Sequence, residues 1–246
     1  MSGHQIVLIT GAGGGIGAAA VRAFAADGDA VAAADINAER LAALAGQIPA
    51  DRLLTVAADV RDRASVEAMV ARTVERFGAI DVLCPNAGVF VGPDRPLEET
   101  PDDAIDLLID VNIRGVVNVL RAGLPHVRPG GAVILTSSIS GLQAHPGGAV
   151  YAATKTAQIG LARSLAAELG ERRIRVNVIS PGTIETTMAT DAHTPEQLAE
   201  FAEANPLGRL GQPADVAEAF VFLARAAYVN GVVLRVDGGD CLMGAL

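Results

Sequence analysis

The 246-residue chain has no tryptophan, and aromatic side chains make up only 3% of it. Its core must therefore be assembled from Ala, Val, Leu and Ile, which suits a parallel sheet covered by helices. There are two cysteines, Cys84 and Cys241, far apart in sequence. That excludes a disulfide framework and a C-x-x-C metal site, and no metal is expected. No run of five basic residues occurs, and 19 basic residues against 28 acidic ones leave a net charge of −9. A nucleic-acid or acidic-membrane partner would want a basic face instead. Apolar runs fall well short of the ~20 residues that span a bilayer. Residues 1–5 lack the basic and apolar regions of a secretory signal. A soluble, reducing, cytoplasmic setting is the expectation.

What the chain does have is alternation. Half of it is hydrophobic, enough for a large core. Short apolar runs at 6–9, 30–34, 53–57, 80–84, 132–136, 174–179 and 232–236 read as strands. Helix-like stretches fall between them at 18–26, 37–47, 61–77, 102–124, 150–169 and 214–227. No low-complexity linker or internal repeat divides the chain. The pattern predicts an α/β fold: one doubly wound Rossmann-type domain over 1–246, with a seven-stranded, mainly parallel sheet and helices on both faces. Residues 183–211 are long and polar, with one short helix at 195–204. A connection of that length in a compact domain is usually functional, often a substrate lid.

The first strand ends in Thr10-Gly11-Ala12-Gly13-Gly14-Gly15-Ile16-Gly17. A strand, a glycine turn and a helix together offer free backbone N–H groups to a phosphate. The spacing is G-x-x-x-G-x-G rather than G-x-G-x-x-G, and a merely flexible turn is the plainer alternative. Asp35 closes the second strand, about 20 residues past the turn, where a carboxylate can accept from both adenosine ribose hydroxyls and would repel a 2′-phosphate. No Arg or Lys follows it until Arg40. Both features favour NAD over NADP. Asp59 could reach an adenine edge or simply cap the helix at 61–77. Pro85-Asn86-Ala87-Gly88 is a small-residue turn at a strand's C-terminal end, where ligands sit in open α/β sheets. Asn112 lies in an apolar stretch and must find partners there, either on a neighbouring strand or in a proton relay.

Tyr151 and Lys155 are four residues apart on a helix and share a face. An ammonium beside a phenol stabilises the phenolate and lowers its pKa from about 10, making a proton donor and acceptor. Alone, Y-x-x-x-K is short and common, and it also fits an ordinary Tyr and a solvated Lys. Ser138 precedes Tyr151 across a glycine-rich loop at 141–148. His145 lies in that loop, as a surface side chain or a substrate ligand. Cys84 reads as a buried apolar filler.

These blocks, taken in register from 6 to 239, resemble the short-chain dehydrogenase/reductase family: Gly11/Gly15/Gly17, Asp59-Val60, Asn86-Ala87-Gly88, Asn112, Ser138, Tyr151/Lys155, Pro181-Gly182 and Val236-Asp237-Gly238-Gly239. The resemblance implies a catalytic set. Tyr151 would be the acid/base, and Lys155 would tune it and hold the nicotinamide ribose. Ser138 would bond the substrate oxygen, and Asn112 would hold a water linking Lys155 to solvent. It implies cofactor contacts from Gly11, Gly15 and Ile16 at the pyrophosphate, Asp35 at the ribose, and Asp59 and Val60 at the adenine. Asn86 and Gly88 would follow, then Pro181, Gly182 and Thr186 at the nicotinamide end. One departure is Cys84-Pro85, where the family commonly carries a second Asn that ties strands. The implied activity is NAD(H)-dependent interconversion of a secondary alcohol and a ketone, with a likeness to 3-oxoacyl-thioester reductases. Arg128 and Arg172 stand near where such enzymes meet an acyl-carrier protein. The other reading is a dinucleotide-binding regulator or scaffold without catalysis. Its mark would be a lost Ser, Tyr or Lys, and all three are intact. The family also implies a homotetramer.

Overall fold

A computed structural model describes residues 4–243. β1 (Ile6–Thr10) runs through the glycine turn into α1 (Gly15–Ala26). β2 (Ala30–Asp35) leads to α2 (Ala38–Ala45), and β3 (Leu53–Ala57) to α3 (Arg63–Phe77). After β4 (Ile80–Cys84) come α4 (Asp102–Ile109), a π-helical turn (Asp110–Gly115) and α5 (Val116–Gly123). β5 (Val127–Thr136) precedes α6 (Ala149–Glu168). β6 (Arg175–Pro181) is followed by α7 (Thr187–Ala192), α8 (Pro195–Ala204) and α9 (Pro213–Arg225), then β7 (Val233–Val236) and α10 (Asp240–Met243).

All six strand pairings are parallel, in the order β3-β2-β1-β4-β5-β6-β7. Successive strand side chains point to opposite faces, and here both faces are apolar. Val7, Ile9, Val31 and Ala33 pack with Phe24 of α1 and Phe220 of α9. Leu8, Ala32, Val133 and Leu135 pack on the other side with Met69 of α3, Leu120 of α5 and Ile159 of α6. The shortage of aromatics is thus met by small aliphatic layers, with one large ring from each of α1 and α9.

Four local details differ from the sequence reading. The helix expected over 102–124 is interrupted by the π turn around Asn112. α3 begins at Arg63 because Asp62, whose Oδ1 accepts from Ala64 N–H at 2.9 Å, caps it. β5 starts earlier than expected, at Val127, and its pairing with β4 shifts register between Ile80 and Val82. The 183–211 segment holds two helices rather than one. Asn37 caps α2 as its side chain suits, accepting from Arg40 N–H.

The end of α9 is tied to the turn between α1 and β2. Arg225 pairs with Asp27 at 2.6 Å and with Asp29 at 3.2 Å, and Asp29 is buried while accepting from Gln5 N–H. Removing the cation leaves a buried carboxylate under-paired. Because Arg225 itself is half-exposed, the effect is discounted for screening. Arg225→Met is expected to cost about 2 kcal/mol, read as a lower urea midpoint at unchanged m-value.

Candidate active site

The strand order reverses between β1 and β4, so the chain leaves their C-terminal ends in opposite directions and a crevice opens there. A cavity of about 870 Å³ occupies it, running from the glycine turn past Ser138 and Tyr151 to the 183–211 segment.

The glycine end is shaped for close approach. Gly11 has φ +66°, and a Cβ there would lie 2.8 Å from Ala87 Cα. Gly15 has φ +50°, and a Cβ there would lie 2.9 Å from Thr186 Cγ2. Both positions require glycine. Gly14 caps α1 without any side-chain bond, and the first turn carries no acid. The helix therefore presents uncapped N–H groups beside Gly11, Gly15 and Ile16, all on the cavity wall, which is an anion site. At the end of β2, Asp35 accepts from Gly13 N–H (2.9 Å) and Asn37 N–H (2.8 Å) and faces the same cavity. Arg40, the first basic residue after Asp35 in the sequence, lines that end as well, and its Nη1 lies 3.6 Å from where a Gly14 Cβ would stand. Asp59 does not cap α3. Its carboxylate pairs with Arg61 at 2.6 Å, and that bond holds it below the usual carboxylate range. Asp59 and Val60 both line the cavity.

Asn86 lines the crevice too, but its side chain is used inward. Nδ2 donates to Thr10 O (3.0 Å) and Gly11 O (3.3 Å), while Oδ1 accepts from Thr136 Oγ1 (3.0 Å). One amide thus ties β1, β4 and β5 together, beside the Cys84-Pro85 departure. Gly88 lets the backbone pass close to the chemistry: a Cβ there would lie 3.1 Å from Lys155 Nζ and 3.3 Å from Asn112 Oδ1.

Ser138 follows the end of β5, and Tyr151 and Lys155 occupy the first two turns of α6. All three line the cavity. The Ser138 hydroxyl donates to Ser140 Oγ at 3.3 Å and accepts from Ser140 N–H at 3.1 Å. Lys155 Nζ lies 5.6 Å from the Tyr151 ring centroid and donates to Thr136 O at 3.1 Å. The titration differs from expectation. Burial dominates and pushes the phenol up to about 12, with the neighbouring Ser138 hydroxyl pulling the other way. Burial also pushes the Lys155 ammonium down to about 8. Removal from water, not the neighbouring ammonium, dominates the titration of the phenol. Lys155 is the only lysine of the chain, a signal visible in the sequence and overlooked there.

Asn112 is fully buried. Its Oδ1 accepts from Val89 N–H (2.9 Å), and its Nδ2 donates to Val89 O (2.9 Å) and Thr154 Oγ1 (3.2 Å). Its backbone carbonyl accepts from Gln158 Nε2 at 2.9 Å. It clamps the strand-like segment at Val89 to α6, and the π turn makes that geometry. Pro181 and Gly182 end β6 on the cavity wall, and Thr186 caps α7, accepting from Ala189 N–H. Arg128 pairs with Asp81, and Arg172 donates to Leu124 O and Val127 O.

A ring cluster was not legible in advance. The Phe90 ring stands edge-on to Tyr151 at 5.0 Å and stacks on His145 (5.9 Å) and His193 (6.1 Å), while His193 meets Phe201 edge-on at 5.1 Å. Two of the chain's few aromatics and two of its four histidines thus wall the space beside the phenol. His145 also bonds Asp94 and Ser140.

Residues 11–240 match the family model described as enoyl-(acyl carrier protein) reductase. The chain is 38% identical to the 3-oxoacyl-[acyl-carrier-protein] reductase FabG of Thermotoga maritima, covering 96% of this chain and 97% of that one. It is also 38% identical to the meso-2,3-butanediol dehydrogenase of Serratia marcescens, over 96% and 94%. The fold matches crystalline levodione reductase with TM-score 0.91 and 36% identity, over 97% and 98% of the two chains. It also matches an NADH complex of a 3-ketoacyl-(acyl-carrier-protein) reductase from Brucella melitensis, with TM-score 0.91 and 34% identity, over 98% and 100%. The chain belongs to the short-chain dehydrogenase/reductase family. This short-chain dehydrogenase/reductase is therefore an oxidoreductase built on the family's Rossmann-like sheet. Among its described residues no helix is long and apolar enough to cross a membrane.

The Lys155 shift fixes a sign for stability. Its folded value, about 8, lies below the ordinary 10.5. The unfolded chain therefore holds more protons between those values, and wild-type stability gains across that window as pH rises. Below pH 8 the cost of the buried charge is fully present. Lys155→Met removes it. The stability of ligand-free Lys155→Met relative to wild type should be greatest at pH 7 and shrink by roughly 3 kcal/mol by pH 10.5. Urea unfolding of both proteins at the two pH values checks this.

Proposed function

We propose that this chain is an NAD(H)-dependent oxidoreductase that interconverts a secondary alcohol and a ketone, with Tyr151 as acid/base. The observation that carries the reading is that Ser138, Tyr151 and the buried Lys155 share one wall of a crevice whose far end is an uncapped helix N-terminus. The cradle fits a dinucleotide. Gly11 and Gly15 leave room where any side chain would collide, and Asp35 is oriented at the ribose end. Gly11, Gly15 and Ile16 would hold the pyrophosphate, Asp35 the adenosine ribose, and Asp59 and Val60 the adenine. Gly88, Pro181, Gly182 and Thr186 would line the nicotinamide end. Asn86 supports that wall by tying its strands. When bound, the nicotinamide accepts or gives the hydride.

The chain's own residues do the rest. Ser138 orients the substrate oxygen toward the phenol. Tyr151 takes up or returns the proton at that oxygen. Lys155 favours the charged form of the phenol and bonds the ribose. Asn112 holds the Val89 segment against α6 so that these groups keep their spacing. Residues 183–211 form the lid. The stems of that segment are joined where Ile184 bridges Gly211, and neither α7 nor α8 has a fully buried residue, so the part beyond the stems is loosely held. The substrate space is walled by Phe90, His145, His193 and Phe201, a setting for a small keto or hydroxy compound or the head of a 3-oxoacyl thioester.

Asp35 is the basis for NAD rather than NADP. Residues 1–246 act as one catalytic domain in the cytoplasm, as a homotetramer. β7 is an edge strand, and Phe222, Tyr228 and Val232 beside it are exposed, a face that a second copy would cover.

A panel of secondary alcohols with NAD⁺, followed by NADH absorbance, tests the reading. Tyr151→Phe should cut turnover by at least 10³-fold while NADH affinity stays within about threefold. Substantial residual turnover would reject the acid/base assignment, and NADH binding without turnover across the panel would favour a non-catalytic dinucleotide binder. For cofactor choice, kcat/KM should favour NAD⁺ over NADP⁺ by tenfold or more, and Asp35→Ser should narrow that ratio. A preference for NADP⁺ would instead point to Arg40 as a phosphate partner.

A further inference from the structure

The main chain from Ser138 to Gln143 is one hydrogen-bonded turn. Gly141 N–H donates to Ser138 O at 3.0 Å, and the N–H groups of Leu142 and Gln143 both donate to Ile139 O, at 2.8 and 3.0 Å. The turn is pressed onto α6. A Cβ at Gly141 would lie 2.9 Å from the carbonyl carbon of Lys155, and Thr156 Oγ1 donates to Gly141 O at 3.2 Å. Gln143 is thus fixed by its backbone on the turn that also sets Ser138, and both residues line the cavity. Its side chain is less committed. Among the described residues, the buried Gln143 Oε1 has no hydrogen-bond partner. Buried side-chain oxygens of Gln5, Gln158 and Ser180 share that condition, but none of those residues lines the cavity.

A buried amide oxygen without a partner forfeits the hydrogen bond it had in water, so a ligand that supplies a partner is favoured. The last torsion of a glutamine is broad. An amide not anchored at its oxygen can therefore turn and offer the cavity an acceptor or an N–H donor. A hydroxyl on the substrate uses the first and a carbonyl the second. Charge on the cavity wall narrows the choice further. Among the described residues, its Arg and Lys side chains are those of Arg40, Arg61 and Lys155. Arg40 lies beside Gly14 and Arg61 pairs with Asp59, both at the adenosine end, and Lys155 bonds Thr136 O. At the substrate end stand two carboxylates, Asp94 beside His145 and Asp191 near the end of α7. A negative group on the substrate would meet these with no cation of its own to pair with.

Resting on the reading of Tyr151 as acid/base, we propose that Gln143 selects the substrate by bonding a second, uncharged oxygen close to the reacting carbon. The substrate class is then a compound with paired oxygens, one reacting and one held, rather than a simple alcohol or a hydroxy acid. A diol with its hydroxy ketone has this chemistry, and so does the head of a 3-oxoacyl thioester. In oxidation the C–H electron pair of one carbinol leaves with the hydride for NAD⁺, and that carbinol's O–H proton passes to the Tyr151 phenolate. The second oxygen keeps its bond to carbon throughout. Because the amide can accept from a hydroxyl or donate to a carbonyl, it serves both directions of the reaction. Gln143 touches the substrate away from the reacting atoms and is a specificity residue. A site that hydrogen-bonds a substrate group discriminates strongly against the analogue lacking it.

The test compares substrates that differ by one oxygen. With NAD⁺, kcat/KM for the better of 2,3-butanediol and 2,4-pentanediol should exceed that for the matching 2-butanol or 2-pentanol by about tenfold or more, and that for 3-hydroxybutyrate by as much. Gln143→Met is close in size but makes no such bond. It should bring the diol to within about threefold of its mono-alcohol, chiefly through KM, and leave the mono-alcohol and NADH affinity within about twofold of wild type. The N-acetylcysteamine thioester of 3-hydroxybutyrate, run beside the diols, shows which source of paired oxygens the site takes, and Gln143→Met should weaken the better one. A second readout needs no turnover. On the Tyr151→Phe–NADH complex, followed by nicotinamide fluorescence, acetoin or 4-hydroxy-2-pentanone should bind about fivefold tighter or more than the simple ketone, and adding Gln143→Met should erase the difference. Equal losses on diol and mono-alcohol, equal binding of the two ketones, or a preference for the hydroxy acid would overturn the proposal. Turnover that survives Tyr151→Phe would instead overturn the acid/base reading, with the Gln143 ratios still standing.

Discussion

The amide of Asn86 binds three strand ends at the point where the order of the sheet reverses. Its bonds to Thr10 O, Gly11 O and Thr136 Oγ1 gather the C-terminal ends of β1, β4 and β5. Those three strands carry, respectively, the glycine turn, the Gly88 turn and Ser138. A parallel sheet has no hairpins to hold its strand ends in place, and a crevice at a switch point is where they are freest to part. One fully engaged side chain at that seam sets the spacing between the phosphate end and the proton end of the site. Thr10 reinforces it, accepting at Oγ1 from the N–H groups of Asn86 and Ala87.

Most of the fold was legible because its periodicities are unambiguous. Strands apolar on both faces and bounded by Gly, Asn or Asp read as buried parallel strands, and the runs at 53–57 and 80–84 coincide with β3 and β4. The interruption around Asn112 was not legible. A π turn keeps helical composition and shows itself only through the tertiary bonds that hold it, here to Val89, Thr154 and Gln158. The early start of β5 was hidden for a related reason: Pro129-Gly130-Gly131 looks like a break, yet pairing with β4 begins before it at Val127 and resumes after it at Ala132, across a register shift.

At the site, residues whose role follows from spacing could be found, and residues whose role follows from assembly could not. Tyr151 and Lys155 declare themselves by helical register. Phe90, His193 and Phe201 lie in three separate segments without regular spacing, and only the fold brings their rings to one wall. Spacing also misjudged the electrostatics. The ammonium was expected to govern the phenol, whereas removal of both groups from water governs each of them in the ligand-free cleft. That is a cost carried until charge arrives with a ligand, and it is the kind of local instability that working sites retain.

The stack His145–Phe90–His193 joins three segments that lie far apart in sequence. Phe90 belongs to the stretch pinned by Asn112, His145 to the loop before α6, and His193 to the turn between the two helices beyond β6. The same ring therefore contacts one imidazole from the loop before α6 and one from the segment beyond β6. A displacement of the segment beyond β6 would uncover part of the Phe90 ring, and Phe90 stands edge-on to Tyr151. The wall of the substrate space and the setting of the phenol thus share a single ring.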